Sequence, residues 1–317
     1  MVIRHPARSI IPLLLWIIFI YGGCASNKLQ AESREGEYRR VMELQKQKSE
    51  MISEEEISRK IPDMKAGDHE MQGDGYLRQG NVLMAYMQYV KALQKDPSRP
   101  EVHYKIGRLF LKKGMAEEAI RIFDKILESD PQNALAQEGK GVAFLVQGKP
   151  KKAKENFLKA VELDPKSWRA RGFLGIILDR EKKFDEAVKE YSKAIEINPK
   201  STVLYNNLGM SHYLNRDYDR AAASLIRALR IDPSNTRAYN NLGLVLCKTG
   251  KYHDAVAAFK KGAGDEAGAY NNVGYMYMLD GKYSAAAEAF GKAIELKPAF
   301  YVKASENMKR AKMEENK

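Results

Sequence analysis

The sequence predicts an all-α solenoid of about seven helix-turn-helix repeats, closed by a polar capping helix. Three observations lead to this prediction, and the first two are that glycines and prolines recur every 34 residues and that alanines and aromatic residues recur with the same period between them. A third is that apolar residues inside each period follow helical spacing, as Tyr239, Leu242 and Leu246 do. The chain of 317 residues therefore resolves into repeats rather than into ordinary domains.

The recurring glycines and prolines mark where each helical hairpin packs and where it ends. Glycine inside a helix costs up to about 1 kcal/mol relative to alanine, so its recurrence indicates that two helices approach closely there. Proline cannot continue a helix, and the Asp-Pro pairs predict a turn into the next repeat. The glycines are Gly73, Gly107, Gly141, Gly175, Gly209, Gly243 and Gly274, and the prolines are Pro97, Pro131, Pro165, Pro199, Pro233 and Pro298.

Small and aromatic residues identify the second helix of each repeat. Alanines from Ala85 to Ala255 keep the 34-residue period, and an aromatic residue follows four positions later except in the fifth repeat, where Leu225 stands. These spacings resemble the tetratricopeptide-repeat (TPR) family over residues 66–298. The resemblance implies a right-handed superhelix whose first helices line a concave, protein-binding surface, with residues 299–317 as the capping helix and tail.

The sixth repeat departs from the period, because Gly274 follows Gly243 after 31 residues instead of 34. Residues 260–265 replace the usual end of its second helix. We expect that helix to end early, and the superhelix to be loosened or kinked between the sixth and seventh repeats.

Residues 1–23 are predicted to form a signal peptide. Two arginines precede an apolar run at 10–21, which is shorter than the roughly 20 residues that a bilayer span needs. Two glycines then precede Cys24, an arrangement that resembles the lipobox of bacterial lipoproteins, although Tyr21 replaces its usual aliphatic residue. The resemblance implies that Cys24 is acylated and begins the mature chain. An uncleaved signal anchor and an ordinary signal peptide are the alternatives.

All of these alternatives place the repeats outside the cytoplasm. The residues after Cys24 lack the aspartate that marks inner-membrane retention, which favours the periplasmic face of the outer membrane. Residues 24–65 are then the lipidated N-terminus and a polar tether, whose reach as a coil is roughly 35 Å. Cys247 is left as a single thiol, so no disulfide framework is expected to hold the fold.

Asparagines in the last three repeats are the candidate peptide-binding residues of the concave surface. Asn207, Asn241 and Asn272 each lie two positions before the repeat glycine and follow a second asparagine. Their amides can donate to and accept from the backbone of an extended peptide, and such a ladder resembles that of other TPR superhelices. Hydrogen bonding between neighbouring helices is the alternative. The adaptable apolar and aromatic surface expected beside them consists of Met210, Tyr213, Leu244, Tyr275 and Met278.

The first half of the same surface is predicted to be basic, through Lys105, Arg108, Lys112, Arg169 and Arg180. It suits acidic protein segments or C-terminal carboxylates, and a solvated face without a ligand is the alternative. The whole chain is basic as well, since 53 Lys and Arg against 41 Asp and Glu give +12. These residues are scattered without a Lys/Arg block, which argues against nucleic acid as a partner.

No arrangement of residues predicts catalysis, a metal site, a cofactor or a small-molecule substrate. The sequence lacks the HExxH, CxxC, G-x-S-x-G and P-loop patterns. His69 and His103 are 34 residues apart and are expected to be core residues at equivalent positions of two repeats. The expected partners are proteins, with the membrane contacted through the lipid anchor.

The leader, the short tether and the uninterrupted repeats together resemble the TadD family of Flp pilus assembly lipoproteins. The run Ala-Tyr-Asn-Asn-Leu-Gly at 238–243 and its echo at 269–274 carry this resemblance. It implies a non-enzymatic outer-membrane factor that helps a secretin to assemble or reach its place, with secretin or pilus components as partners. A pilotin of the type IV pilus kind and a general envelope or peptidoglycan-associated scaffold are the alternatives.

Overall fold

The computed structural model describes residues 64–297 and 301–316, and within these ranges every regular element is an α-helix. The leader with Cys24, the tether up to residue 63, and Pro298 lie outside the described residues. The predicted all-α repeat fold is confirmed. The helices are α1 (Ala66–Arg78), α2 (Val82–Lys95), α3 (Pro100–Lys112), α4 (Ala116–Ser129), α5 (Ala134–Val146), α6 (Pro150–Leu163), α7 (Trp168–Arg180), α8 (Phe184–Ile197), α9 (Thr202–Leu214), α10 (Tyr218–Ile231), α11 (Thr236–Lys248), α12 (Tyr252–Ala263), α13 (Glu266–Leu279), α14 (Tyr283–Leu296) and α15 (Tyr301–Glu315).

Local side-chain hydrogen bonds begin and separate these helices. Asn133, Ser201 and Asn235 each cap the first helix of a repeat by accepting from the backbone N–H three residues on. In the Asp-Pro turns the aspartate accepts from the backbone N–H two residues on, as Asp232 does from Ser234 at 3.0 Å. The predicted turn into the next repeat is confirmed, and the carboxylate as well as the proline forms it.

The chain divides into two compact units, one up to Leu109 and one from Phe110, with the division inside α3. In the first unit α1 packs on α2. Its polar contacts centre on Glu70, which pairs with Arg99 at 2.6 Å and with Lys105 at 2.7 Å. The second unit contains the remaining hairpins and α15.

The repeat glycines make room for a side chain from the second helix of the same repeat, which is a ring at Gly73, Gly141, Gly175, Gly243 and Gly274 and Leu225 at Gly209. A Cβ built on Gly175 would lie 2.6 Å from the Tyr191 ring, and one built on Gly243 would lie 2.6 Å from the Phe259 ring. Both rings are almost fully buried. The close approach predicted from the spacing is confirmed as a contact between helix backbone and aromatic side chain.

Buried clusters join each repeat of the second unit to the next. One cluster combines Phe157 of α6 with Leu174 and Ile177 of α7, and another combines Tyr191 of α8 with Leu204 of α9. Burying one such side chain is worth about 1.5–3 kcal/mol relative to leaving it exposed. Because these clusters cross between hairpins, the unit is stabilised by stacking of neighbours.

The sixth repeat ends its second helix early, as predicted. α12 has 12 residues where the other second helices have 14. Gly264 closes it with φ +83°, and Asp265 immediately caps α13 by accepting from a backbone N–H at 2.6 Å. The predicted loosening does not occur in the hydrophobic core, because Cys247, Phe259 and Val273 belong to one buried cluster that joins α11, α12 and α13.

The last helix, α15, covers the end of the seventh repeat. Ala304 and Ala311 are fully buried in a cluster with Phe290 of α14. α15 therefore takes the place of the first helix of a further repeat. None of the helices described combines the length and apolarity that a membrane crossing requires.

Candidate functional site

The first helices of the second unit share one face. In an α-helix, residues at i, i+4, i+7 and i+11 lie on the same side. Helices α7, α9, α11, α13 and α15 contact one another in succession, so equivalent positions on them form rows. We call these positions, with their equivalents on α5, the first-helix face. Row one is Leu135, Arg169, Val203, Arg237, Gly268 and Val302; row two is Gly139, Phe173, Asn207, Asn241, Asn272 and Glu306; row three is Val142, Ile176, Met210, Leu244, Tyr275 and Lys309; row four is Val146, Arg180, Leu214, Lys248, Leu279 and Met313.

Exposed apolar residues concentrate on the first-helix face. Of the twelve large hydrophobic side chains exposed in the described part of the second unit, seven lie in rows one, three and four. Single exposed apolar residues are normal on a protein surface, whereas a cluster of them marks an interaction site. The seven are Leu135, Val146, Val203, Tyr275, Leu279, Val302 and Met313, with exposed fractions from 38% to 68%.

Row two contains the predicted asparagines and is largely buried. Asn207 and Asn241 are each 7% exposed, and Asn272 is half-buried. The Asn241 Nδ2 donates to the Oδ1 of Asn206 on the preceding first helix at 2.8 Å. Bonding between neighbouring helices therefore occurs at Asn241, and peptide binding by the three asparagines stays a prediction.

The interhelical asparagine bond is interrupted at the shortened sixth repeat. On α15 the Asn307 Nδ2, one position after row two, donates to the Asn271 Oδ1 at 3.4 Å, a second amide–amide bond between neighbouring first helices. By contrast, the Oδ1 of Asn240 is buried without a hydrogen-bond partner among the described residues. Its side chain packs directly on Gly262, where a Cβ would collide with it.

Three of the five predicted apolar residues lie on the face: Met210, Leu244 and Tyr275 form part of row three. Tyr213 and Met278 do not, because each lies three residues after row three and is turned about 60° from it. Tyr213 is 8% exposed within the core, and Met278 packs against the buried cluster of the last repeat. The prediction is therefore wrong for these two residues.

Most of the exposed apolar residues on the face were not predicted from the sequence. Tyr275 was identified, and the other six exposed residues were not. A signal for them exists, because positions i, i+4, i+7 and i+11, counted from the second residue of each first helix and from the third residue of α13, select all four rows.

Two of the predicted basic residues, Lys105 and Arg108, belong to the first unit. Lys105 pairs with Glu70 and with Asp74, both at 2.7 Å, so its charge is compensated. Arg108 is exposed, and its guanidinium lies 5.9 Å from the centre of the Tyr104 ring. Lys105 therefore adds no uncompensated charge to the predicted basic surface.

The other predicted basic residues, Lys112, Arg169 and Arg180, are exposed in the second unit. Arg169 lies 4.6 Å from the centre of the Trp168 ring. Arg237 in row one is also exposed and was not predicted. The structure gives Arg169, Arg180 and Arg237 no carboxylate partner among the residues that it describes.

The acidic residues on the first helices α5 to α13, by contrast, are all engaged by the protein. Glu138 accepts from the Ser167 hydroxyl at 3.0 Å in a buried contact, and Glu266 pairs with Lys260 at 2.7 Å. The third, Asp179, accepts hydrogen bonds as well. The face therefore offers unpaired positive charge and no free carboxylate on these five helices.

Asp179 is a partly buried carboxyl between the fourth and fifth repeats. It accepts from the Ser211 hydroxyl at 2.7 Å and from the Tyr191 hydroxyl at 2.9 Å. Burial raises the pKa of Asp179 to about 6, although both hydrogen bonds act in the opposite direction. Burial also raises the pKa of Cys247 to about 12, so this thiol stays protonated at neutral pH.

A depression of about 340 Å³ opens at row one, between α9 and the turn that leads into α11. Val203, Asn206 and Arg237 line it together with residues of that turn. The Asn206 Oδ1 is occupied by Asn241, whereas its Nδ2 has no partner within the described ranges. The depression therefore offers a guanidinium and an amide N–H as donors.

The histidines that the structure describes do not assemble into a site. His103 is 8% exposed and its Nε2 bonds the Pro97 carbonyl at 3.0 Å, as expected for a core residue. His69 is half-buried and bonds Gln88 at 2.8 Å. Within the described residues no group of three or more His, Cys, Asp or Glu is placed to hold a metal ion.

Three family models, each described as a tetratricopeptide repeat, match the chain. One matches residues 76–141, one matches residues 138–202 and 206–268, and one matches residues 267–300. Together they follow the repeats almost without a gap. The predicted repeat family is confirmed.

Several solved structures share the fold. They include the APC/C hetero-tetramer Cut9-Hcn1 (20% identity, TM-score 0.59, 81% of this chain and 50% of that chain) and Pseudomonas aeruginosa pilF (22%, 0.54, 69% and 98%). A tetratricopeptide repeat protein from Parabacteroides merdae is similar too (17%, 0.52, 78% and 98%). At these identities the likeness concerns the fold alone. No curated protein matches the chain.

Proposed function

Because the chain belongs to the tetratricopeptide-repeat family, whose members are protein-interaction scaffolds, we propose that it binds a protein partner on the first-helix face of its second unit. The concentration of exposed apolar side chains on this face carries the proposal. Removing apolar surface from water favours association by roughly 25 cal/mol per Å², before the entropic cost of binding is subtracted.

A matched pair of variants tests this proposal by partner capture. Tyr275 and Leu279 are 47% and 52% exposed, so replacing both with serine removes apolar contact area with little effect on folding. The control is Ile226→Ser, which changes a residue 42% exposed on α10, outside the face. After mild cross-linking in native membranes and affinity purification, mass spectrometry should recover fewer partners with the double variant and unchanged partners with the control.

Equal recovery with both variants would contradict the proposal, provided that circular dichroism shows the same helical content. Such a result would move the partner to another surface and leave the fold assignment unchanged.

We further propose that the chain is a lipoprotein of the bacterial outer membrane and assists a secretin or Flp pilus assembly. The lipobox-like residues before Cys24 and the Ala-Tyr-Asn-Asn-Leu-Gly run at 238–243 support this. Recovery of a secretin or of Flp pilus subunits in the same experiment is the expected outcome. Recovery of type IV pilus components would favour the pilotin alternative, and envelope machinery alone would favour the general scaffold.

The anchor has its own test. Cys24→Ser removes the acylated thiol, so the protein should move from the membrane fraction to the soluble fraction of the envelope. Persistent membrane association of this variant would contradict the lipoprotein assignment.

A further inference from the structure

Charge on the first-helix face has one sign from α5 to α13. Arg169, Arg180 and Arg237 lie there without carboxylate partners among the described residues, and Lys248 is the one basic residue of these rows that is paired, to Asp280. No acidic residue occupies any of the four rows on these five helices. The face therefore favours anionic groups over cationic ones.

This one-sided charge is not a simple consequence of the basic composition. The second helices carry both signs on their exposed surfaces, as α8 does with Asp185, Glu186 and Lys189 exposed within six residues. Glu190 and Lys193 of the same helix form an ion pair at 3.6 Å. Exclusion of acids is thus a property of the face.

Row one alternates basic and apolar residues across three adjacent first helices. Arg169 lies on α7, Val203 on α9 with 53% of its surface exposed, and Arg237 on α11. Packed helices are about 8–10 Å apart, and an extended chain rises about 3.3 Å per residue. An extended segment that crosses these helices therefore advances about three residues per helix.

From this spacing we infer the chemistry of the occupant, an inference that rests on the proposed function. The occupant is an extended acidic and apolar polypeptide segment. Two of its acidic side chains, about six residues apart, pair with Arg169 and Arg237, and an apolar side chain between them packs on Val203. Its apolar end lies over Tyr275 and Leu279 on α13.

The depression beside Arg237 contributes to the same binding mode. Asn206 lines this depression and uses its Oδ1 in the bond with Asn241, so its Nδ2 can donate to a backbone carbonyl of the segment. Asp232 at the wall is already engaged by the Ser234 hydroxyl at 2.6 Å and by the Ser234 backbone N–H at 3.0 Å. Its negative charge favours a neutral backbone group at that point rather than a second carboxylate.

A synthetic peptide tests the inference directly with the purified full-length chain in detergent. The probe is a fluorescein-labelled ten-residue peptide with Glu at positions 1 and 7, Leu at positions 4 and 10, and Ser elsewhere. The matched peptide has Lys in place of Glu. Fluorescence anisotropy should show that the Glu peptide binds about tenfold or more tightly than the Lys peptide, and that salt weakens its binding.

Two double variants test where on the protein the Glu peptide binds. Arg169→Glu with Arg237→Glu should weaken binding of the Glu peptide about tenfold or more. The control is Arg227→Glu with Arg230→Glu, which reverses two exposed charges on α10 outside the face and changes the net charge by the same amount. Retained binding in the control and loss in the row-one variant support the inference.

Three outcomes overturn it: no saturable binding of the Glu peptide, equal binding of the two peptides, or equal loss in both double variants. Displacement of the peptide by phosphatidylglycerol vesicles that bind through the same two arginines would assign the face to an anionic membrane and overturn it too. The proposed function fails separately, because it depends on partner capture by Tyr275 and Leu279 and not on acidic residues.

Discussion

At the scale of single residues, the repeat glycine lets a large side chain of the second helix pack directly on the backbone of the first helix. We expect Gly243→Ala to destabilise the fold by about 1–3 kcal/mol, because a Cβ would lie 2.6 Å from the buried Phe259 ring. Urea unfolding measures the change. The matched control is Gly291→Ala, whose Cβ meets nothing within 4 Å and which should stabilise α14 by about 0.5–1 kcal/mol. Equal effects of the two changes would refute the steric explanation.

Asp179 makes the stability of the second unit depend on pH near neutrality. Its pKa in the folded chain is raised to about 6 from 3.8, so the folded state binds the proton more tightly than the unfolded state does. The contribution of this group to the free energy of unfolding therefore increases as the pH falls through about 6, and it reaches its full value below about 3.8. The full gain is on the order of 3 kcal/mol.

Asp179→Asn removes this ionisation and provides the measurement. Between about pH 7.5 and 5, the free energy of unfolding of the wild type should rise relative to that of the variant. Urea melts at several pH values report the difference. Parallel pH profiles of the two proteins would show that Asp179 is not the group responsible.

Asn241 and Asn272, both in row two, are expected to differ in how much their replacement by alanine lowers the free energy of unfolding. Asn241→Ala leaves the Asn206 Oδ1 in the interior without its donor, so we expect a loss of about 1–3 kcal/mol in urea unfolding. Asn272→Ala breaks no hydrogen bond described in the structure and should change stability by less than about 0.5 kcal/mol. If Asn272→Ala nevertheless weakens partner capture, its amide binds the partner; if capture is unchanged, the ladder is structural.

At the scale of helices, the joint between the sixth and seventh repeats shows how three residues are lost without loss of the core. α12 is shortened and only two residues separate it from α13, whereas four residues separate α10 from α11. Gly264 can close α12 because glycine adopts a positive φ without steric cost. Asp265 then caps α13 at once.

Gly264→Ala tests this closure. An alanine at φ +83° is strained by about 1–2 kcal/mol, so the melting temperature should fall. The control Gly67→Ala changes an exposed glycine in α1 without a positive φ and with nothing within 4 Å of its Cβ. A similar response of both variants would argue against a special role of the left-handed residue.

The helices themselves were predictable from the sequence, because glycine, alanine, aromatic residue and proline report packing that recurs in every repeat. The face was predictable only in part. Tyr213 and Met278 are apolar residues next to row three, and one-dimensional spacing does not separate a side chain on the face from one turned about 60° towards the core. The hydrogen bond between Asn241 and Asn206 could be identified only from the distance between the two side chains in the structure. In the sequence, both amides suit a bound peptide as well as a neighbouring helix.

At the scale of the whole molecule, the second unit is a row of clusters in which each repeat depends on its neighbours. Ala304 and Ala311 of α15 shield Phe290 and the end of α14. Removing residues 298–317 would expose that cluster to water while leaving the fourth and fifth repeats with both neighbours. In a one-dimensional stack of this kind, instability created at one end decays over the adjacent repeats.

We therefore expect the truncated chain to lose amide-exchange protection first in α13 and α14, with α7 to α9 close to their original protection. Because the uncovered cluster is apolar, the same variant should also associate at micromolar concentration, which sedimentation velocity detects. The triple variant Lys303→Ser, Lys309→Ser and Arg310→Ser is the control, since it changes exposed charges of α15 and keeps its buried alanines. A uniform loss of protection across the second unit would mean that its repeats unfold together, and that coupling between neighbours extends over the whole stack rather than over one or two hairpins.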